Sequence, residues 1–185
     1  MKIKEIKTLW RSKWLSIKQA VYEDKNNIER TWDYVERNNN AKVVTIICES
    51  ESGKFLLIKQ SRISINAFEI SFPAGLIDPG EDVEQAALRE LKEETGYGAE
   101  IVKYSDFTPK SSGLTNESTV VVFCKTLEND KGEQNLDPTE EIECFWISPD
   151  EFFRYIKKLD TKKIKISNDL YAFMSGLNYS NRNSR

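Results

Sequence analysis

An arginine and three glutamates crowd into the second half of the stretch 83–95, VEQAALRELKEET: Arg89, Glu90, Glu93 and Glu94. The run reads as a helix, so its side chains can be placed around an axis at about 100° per residue. With Val83 at zero, Ala87, Leu91 and Leu88 span roughly 40° to 140° and define an apolar face. Lys92, Gln85 and Arg89 fall at about 180–240°, on the wet side. Glu90 and Glu94 fall near about −20° and +20°, along the edge of the apolar stripe. Like charges four residues apart repel, and a partly buried carboxylate without a partner is costly. A hard divalent cation that takes oxygen ligands, Mg²⁺ or Mn²⁺, removes both penalties. Arg89 and Glu93 are also four apart, so the arginine can hold that carboxylate in place. The plainer reading is an amphipathic helix with a generous acidic rim.

The flanks favour a ligand site. Pro73, Gly75, Pro79 and Gly80 build a tight non-helical loop whose backbone can approach a ligand, and Gly96 closes the helix. The chain contains no His. That excludes His-based triads, His zinc sites and His general bases. Catalysis falls to carboxylates, Lys, Tyr, Ser or a bound metal, and a general base must be a carboxylate.

Gly75, Glu81, Arg89-Glu90-Leu91, Glu93-Glu94 and Gly96-Tyr97 together spell G-x5-E-x7-R-E-U-x-E-E-x-G-U, with U a bulky apolar residue. No position departs from that pattern, and the chain resembles the Nudix hydrolases. The resemblance implies cleavage of a nucleoside diphosphate linked to another moiety, with Mg²⁺ or Mn²⁺ held by the box glutamates. It implies Glu90 and Glu94 as ligands, Glu93 as a third ligand or a neighbour of one, the backbone carbonyl of Ala74 as another, and Arg89 orienting Glu93. Glu81, at the junction of loop and helix, can cap the helix or reach a metal through water. The implied fold is α/β (α+β), a mixed-sheet α/β/α sandwich.

A looser likeness, over roughly residues 13–155, is to the ADP-ribose pyrophosphatases. It rests on KWLSIKQAVY, RTWDYVER, LLIKQSR, FPAGLIDPGE and SSGLTNES. It implies a homodimer that exchanges an N-terminal hairpin, with Trp14 and Trp32 stacking on the base; otherwise both are ordinary hairpin core residues. It implies Arg37 and Arg62 on the phosphate or ribose region, and Gly113, Leu114 and Glu117 on a loop approaching the ribose. It also implies an acidic loop, 137–141, carrying a catalytic glutamate, Glu141 or its neighbour Glu140. Where Glu commonly precedes F-P-A-G, this chain has Ser71, and Glu69 lies two residues earlier on the same strand face. The expected reaction is metal-dependent hydrolysis of ADP-ribose or a related nucleoside diphosphate sugar to a nucleoside monophosphate and a sugar phosphate. The alternatives are another nucleotide (a GDP-sugar, a dinucleoside polyphosphate or an oxidised nucleotide) or a non-catalytic ADP-ribose-binding sensor, against which the intact glutamates argue.

Such a site needs a scaffold. Stretches 13–22 and 28–37 read as a hairpin, and 41–48, 54–60, 67–72, 99–107, 118–125 and 142–148 as further strands. Helices are expected at 83–95, at 151–158 behind Ser148-Pro149-Asp150, and near 169–176. The organisation expected is an N-terminal hairpin extension (1–40) that mediates dimerisation, a catalytic domain (41–178) and an unstructured polar tail (179–185). At 185 residues the chain suits one core, and 39% hydrophobic with 31% charged residues is the balance of a soluble globular protein. A net charge of −3 argues against nucleic acid as the main partner. No apolar run reaches membrane-span length and no apolar region follows the first lysines, so neither a membrane nor a secretory signal is expected. Cys48, Cys124 and Cys144 sit in apolar strand-like stretches without a C-x-x-C, which reads as buried free thiols in a reducing, cytoplasmic setting.

Overall fold

A computed structural model describes residues 1–38 and 42–183. The expected boundary between 40 and 41 lies outside these residues. The N-terminal element is a three-stranded antiparallel meander, β1 (Lys2–Arg11), β2 (Leu15–Glu23) and β3 (Glu29–Arg37), rather than the two-stranded hairpin expected. Asp24 closes the β2–β3 turn by accepting from the Asn26 and Ile28 N–H groups at 2.8 and 3.0 Å. β1 escapes a simple reading because its apolar residues, Ile3, Ile6 and Leu9, recur every third position. Irregularities at Ile3/Glu5 and Thr8/Trp10 reset the side-chain phase and let that spacing lie in a strand.

The remaining strands form one nine-stranded mixed sheet. They are β4 (Val43–Ser50), β5 (Phe55–Arg62), β6 (Ala67–Ser71), β7 (Ala74–Leu76), β8 (Glu100–Tyr104), β9 (Thr108–Pro109), β10 (Ser118–Thr126), β11 (Ile142–Ile147) and β12 (Ile164–Ile166). The main path runs β12-β6-β5-β4-β10-β8, with β11 paired to β5, β7 to β4 and β9 to β10. β4 and β10 run parallel, as do β6 and β12. Helix α1 (Val83–Thr95) covers one face, over Val44, Ile46, Leu56 and Val122. Helices α2 (Pro149–Ile156) and α3 (Asn168–Asn183) cover the other, where Phe152, Leu170 and Met174 pack on Ile47, Leu57 and Ile70. This is the expected α/β/α sandwich. The last helix runs on to Asn183, through most of the stretch expected to be an unstructured tail. Among the described residues no helix is long and apolar enough to cross a membrane.

Cys48 and Cys124 are buried and are register partners on β4 and β10, and Cys144 is half-buried; none is in a disulfide. The Cys124 thiol, together with burial, pushes the Cys48 thiol far up. These are inert core thiols.

Candidate active site

Helix α1 is pinned at both ends. Asp82 accepts from the Gln85 N–H at 2.8 Å while the Gln85 side chain accepts from the Asp82 N–H at 3.1 Å, a capping box. At the other end Gly96 takes a left-handed conformation, φ 80°, which glycine adopts without strain. The Gln134 side chain then clamps the last turn by donating to the Glu94 carbonyl at 2.5 Å and to that of Ile142 at 3.3 Å.

The buried face is rotated from the one the wheel suggests. Ala86, Ala87, Leu91, Glu94 and Thr95 are buried, whereas Leu88 is 37% exposed. Glu94 therefore sits inside the buried arc, not on its rim, and is only 4% exposed. Its Oε2 accepts from the Ala74 N–H at 3.0 Å. Glu94 is thereby tied through the Ala74 N–H to the loop whose Ala74 carbonyl is the one expected to reach a metal. Burial, opposed by that bond and reinforced by the charges of Glu90 and Glu140, pushes the Glu94 carboxyl up to about 8. Burial also raises Glu90, against the pull of Arg89.

Arg89 is not on the wet side. Its guanidinium folds back over the loop and forms a two-pronged pair with Glu81, Nε to Oε1 at 2.7 Å and Nη2 to Oε2 at 2.8 Å. It also donates to Glu90 at 2.9 Å, to Glu93 at 3.0 Å and to the Leu76 carbonyl at 2.9 Å. The Arg89–Glu93 pair is the one expected; the reach to Glu90 is not, because the wheel puts Arg89 on the wet side. Glu81 accepts from the Asp78 N–H at 3.0 Å, so it braces the loop while Asp82 caps the helix. Arg89→Ala is expected to lower stability by about 2–3 kcal/mol, because three carboxylates lose one shared partner. Urea unfolding measures this. Arg89→Lys should recover only part of the loss, since a point charge cannot replace the fork.

Gly75 has a structural reason. A Cβ there would stand 1.9 Å from Glu90 Cδ, so the missing side chain is the space that Glu90 occupies. Ala74 and Gly75 in turn line a cleft of about 630 Å³. Its walls carry Arg37, Arg62, Glu69, Ser71 and Glu117, so residues from the N-terminal sheet, β5, β6 and the loop before β10 meet at one place. Arg62 pairs with Glu69 at 3.3 Å and Arg37 with Glu117 at 2.5 Å. Both Ser71 and the offset Glu69 therefore face the cleft. Gly113 and Leu114 are exposed on the loop beyond it, and the Leu114 carbonyl accepts from the Val35 N–H at 2.8 Å. Of the two loop glutamates, Glu140 is the one whose charge raises both Glu90 and Glu94. The Glu141 carbonyl instead accepts from the Ser61 N–H at 3.3 Å. Trp14 and Trp32 are 71% and 51% exposed and do not line the cleft of their own chain.

The sequence reading missed Lys110 and Asp169, an ion pair across the cleft wall. Their separation along the chain leaves no local signal for it. Among the described residues no group of three or more Asp, Glu or Cys side chains is placed to hold a metal ion; the Glu93 carboxylate is turned to Arg89. The chemistry on offer is nonetheless coherent. Two carboxylates, one deeply buried, stand behind a cleft furnished with two arginines, and a third lies on an adjacent loop.

Comparison with known proteins gives the following. The NUDIX domain family matches residues 39–170. The chain is 36% identical over 167 residues to the "ADP-ribose pyrophosphatase" of Saccharomyces cerevisiae, covering 83% of this chain and 72% of that protein. It is 29% identical to the "ADP-sugar pyrophosphatase" of Mus musculus, covering 91% and 84%. Against the solved structure titled "Crystal structure of ADP compounds hydrolase" the TM-score is 0.69 at 23% identity, covering 87% of this chain and 84% of that one, a likeness of fold.

Proposed function

Because the chain belongs to the Nudix domain family, we propose that it hydrolyses the pyrophosphate bond of ADP-ribose or related nucleoside diphosphate sugars, releasing a nucleoside monophosphate and a sugar phosphate. The observation that carries this reading is the buried Glu94 beside Glu90, directly behind the Ala74–Gly75 wall of a cleft that also holds Arg37 and Arg62. The names of the yeast and mouse relatives support the substrate class.

The residues fit a divalent cation, Mg²⁺ or Mn²⁺. Glu94, as buried as it is and with Glu90 beside it, has no ion-pair partner of its own among the described residues, and hard oxygens suit such an ion. Glu90 and Glu94 would hold it, with Glu93 the next nearest carboxylate on the helix. When bound, such an ion neutralises the diphosphate and makes water a better nucleophile. Arg62 and Arg37 bind phosphate oxygens, each fork matching two at once. Glu140, with Glu141 beside it, takes the proton from the attacking water. Arg89 fixes Glu90 and Glu93 without touching substrate.

The raised carboxyls give a pH signature in metal-free protein. Glu94 is near 4.5 when unfolded and about 8 when folded. The folded state therefore holds a proton that the unfolded state has lost across that window, and stability falls as pH rises through it. Melting temperature in a chelator is expected to drop between pH 5 and pH 8.5, and saturating Mg²⁺ to restore it at the alkaline end. A metal-independent profile would remove Glu94 from the ion site.

Trp14, in the turn between β1 and β2, and Trp32, on β3, are more than half exposed, as are Ile3, Ile6, Leu9 and Trp10 of β1. So many exposed large apolar side chains on one small sheet suit a second copy of the chain, whose hairpin would bring the tryptophans to the base at the neighbouring cleft. Trp14→Ala is expected to raise KM for ADP-ribose about tenfold or more, the loss of one stacked base, with a smaller change in kcat. Equal KM values would end the stacking role. The free thiols suit the cytoplasm. The deciding experiment is a panel of nucleoside diphosphate sugars with Mg²⁺ or Mn²⁺, scored for release of monophosphate; release from none of them would overturn the reading.

A further inference from the structure

A short run ahead of the acidic loop closes the C-terminal end of helix α1. The last four carbonyls of a helix have no partner within it. Here the Lys92 carbonyl is met by the Gly96 N–H at 2.8 Å, and that of Thr95 by the Cys144 thiol at 3.6 Å. The two between them, on Glu93 and Glu94, are met by residues 134 and 135. The Asn135 N–H donates to the Glu93 carbonyl at 2.9 Å, and Gln134 Nε2 to the Glu94 carbonyl at 2.5 Å. Just past the helix the Gly132 N–H donates to the Gly96 carbonyl at 2.9 Å. The two backbones approach so closely there that a Cβ on Gly96 would stand 2.4 Å from the Gly132 oxygen. The residues whose carboxylates face the site therefore hold this run by their main chain.

Gln134 does more than cap the helix. Its amide nitrogen has two protons, and the second goes to the Ile142 carbonyl at 3.3 Å. Gln134 precedes the acidic loop 137–141 and Ile142 follows it, so one amide draws both feet of the loop to the end of α1. The far foot is also tied to the sheet: the Ser61 N–H donates to the Glu141 carbonyl at 3.3 Å, and Ile142 stands opposite Gln60 on β5. Within the loop, the Glu140 N–H donates to the Asp137 carbonyl at 2.8 Å and the Asp137 N–H to the Glu140 carboxylate at 3.1 Å. Residues 137–141 are all exposed. A loop with so little buried surface takes its position from its feet. The helix is the fixed partner, because Ala86, Ala87 and Leu91 bury it in the core.

We propose that Gln134 is a positioning residue for the hydrolysis: by holding both feet of the acidic loop on the end of α1, its amide sets where Glu140 and Glu141 stand relative to Glu90 and Glu94. The proposal rests on the pyrophosphohydrolase reading. Gln134 does not line the cleft and acts through the loop.

The test uses Gln134→Met, which keeps the length of the side chain and removes both donors, and Gln134→Lys, which keeps a donor. Gln134→Met is expected to lower kcat for ADP-ribose in Mg²⁺ by about tenfold, short of the roughly 10²-fold or more that a whole general base contributes. KM should stay within about twofold, and Gln134→Lys should recover most of the rate. In a Glu140→Gln/Glu141→Gln background the loop has no base to place, so adding Gln134→Met should cost nothing further. Melting temperatures report the fold of each variant. An equal loss in that background, a loss carried by KM, no loss at all, or Gln134→Lys no better than Gln134→Met would overturn the role. Should the parent cleave no nucleoside diphosphate sugar, the functional reading fails by itself, and amide hydrogen exchange across 136–141 decides the tie. Faster exchange there in Gln134→Met, with the rest of the chain unchanged, supports it; unchanged exchange refutes it.

Discussion

Glu94→Gln is expected to reduce turnover by at least about 10²-fold, the order for loss of a charge-stabilising element, while the protein stays folded. The amide keeps the shape and can still accept from the Ala74 N–H. It removes only the charge. Burial already disfavours that charge, so the metal-free variant should melt at or above the temperature of the parent at pH 8. Lost activity with undiminished stability is the pattern of a group retained for function at a cost in folding. Near-normal rates in Mg²⁺ would remove Glu94 from the chemistry. Lost activity with a large fall in melting temperature would make it a structural residue.

Gly75→Ala is expected to lower kcat/KM by on the order of 10²-fold, since displacements near 1 Å at a catalytic group have that effect. The new methyl would stand 2.1 and 2.2 Å from the two Glu90 carboxylate oxygens, so the carboxylate must move. Little else is strained: Gly75 is not among the residues with positive φ, and the atoms in the way are the end of a flexible side chain. Stability should change little. Gly98→Ala meets nothing within 4 Å and is the control, with activity close to that of the parent. Parity between the two variants would show that Glu90 can work from elsewhere.

The helix that carries the site was legible in the sequence because its signals are local. Asp82, Gln85 and Gly96 set its ends, and the box spacing sets its glutamates. The rotation of its buried face was not legible. Alanines 86 and 87 lie flat on the sheet while Leu88, the larger apolar residue, is left at the edge, a choice made by the space above Val44 and Val122 rather than by side-chain hydrophobicity. Strand β1 was hidden for the opposite reason: its bulges break the alternation by which a strand is recognised. The cleft wall formed by Lys110, Ser111 and the start of α3 joins segments far apart in the chain, and no spacing rule links them. Glu140 and Glu141 are neighbours in sequence, and only their placement on the loop tells them apart.

The N-terminal sheet is stitched to the loop before β10 at three points: Val35 to Leu114 through the backbone, Glu36 to Asn116, and Arg37 to Glu117. Two of the partners on those seams, Arg37 and Glu117, also belong to the cleft wall. The meander is thus mechanically geared to the site. A tilt of that sheet, from whatever presses on its open side, is transmitted as a change in the width of the cleft mouth.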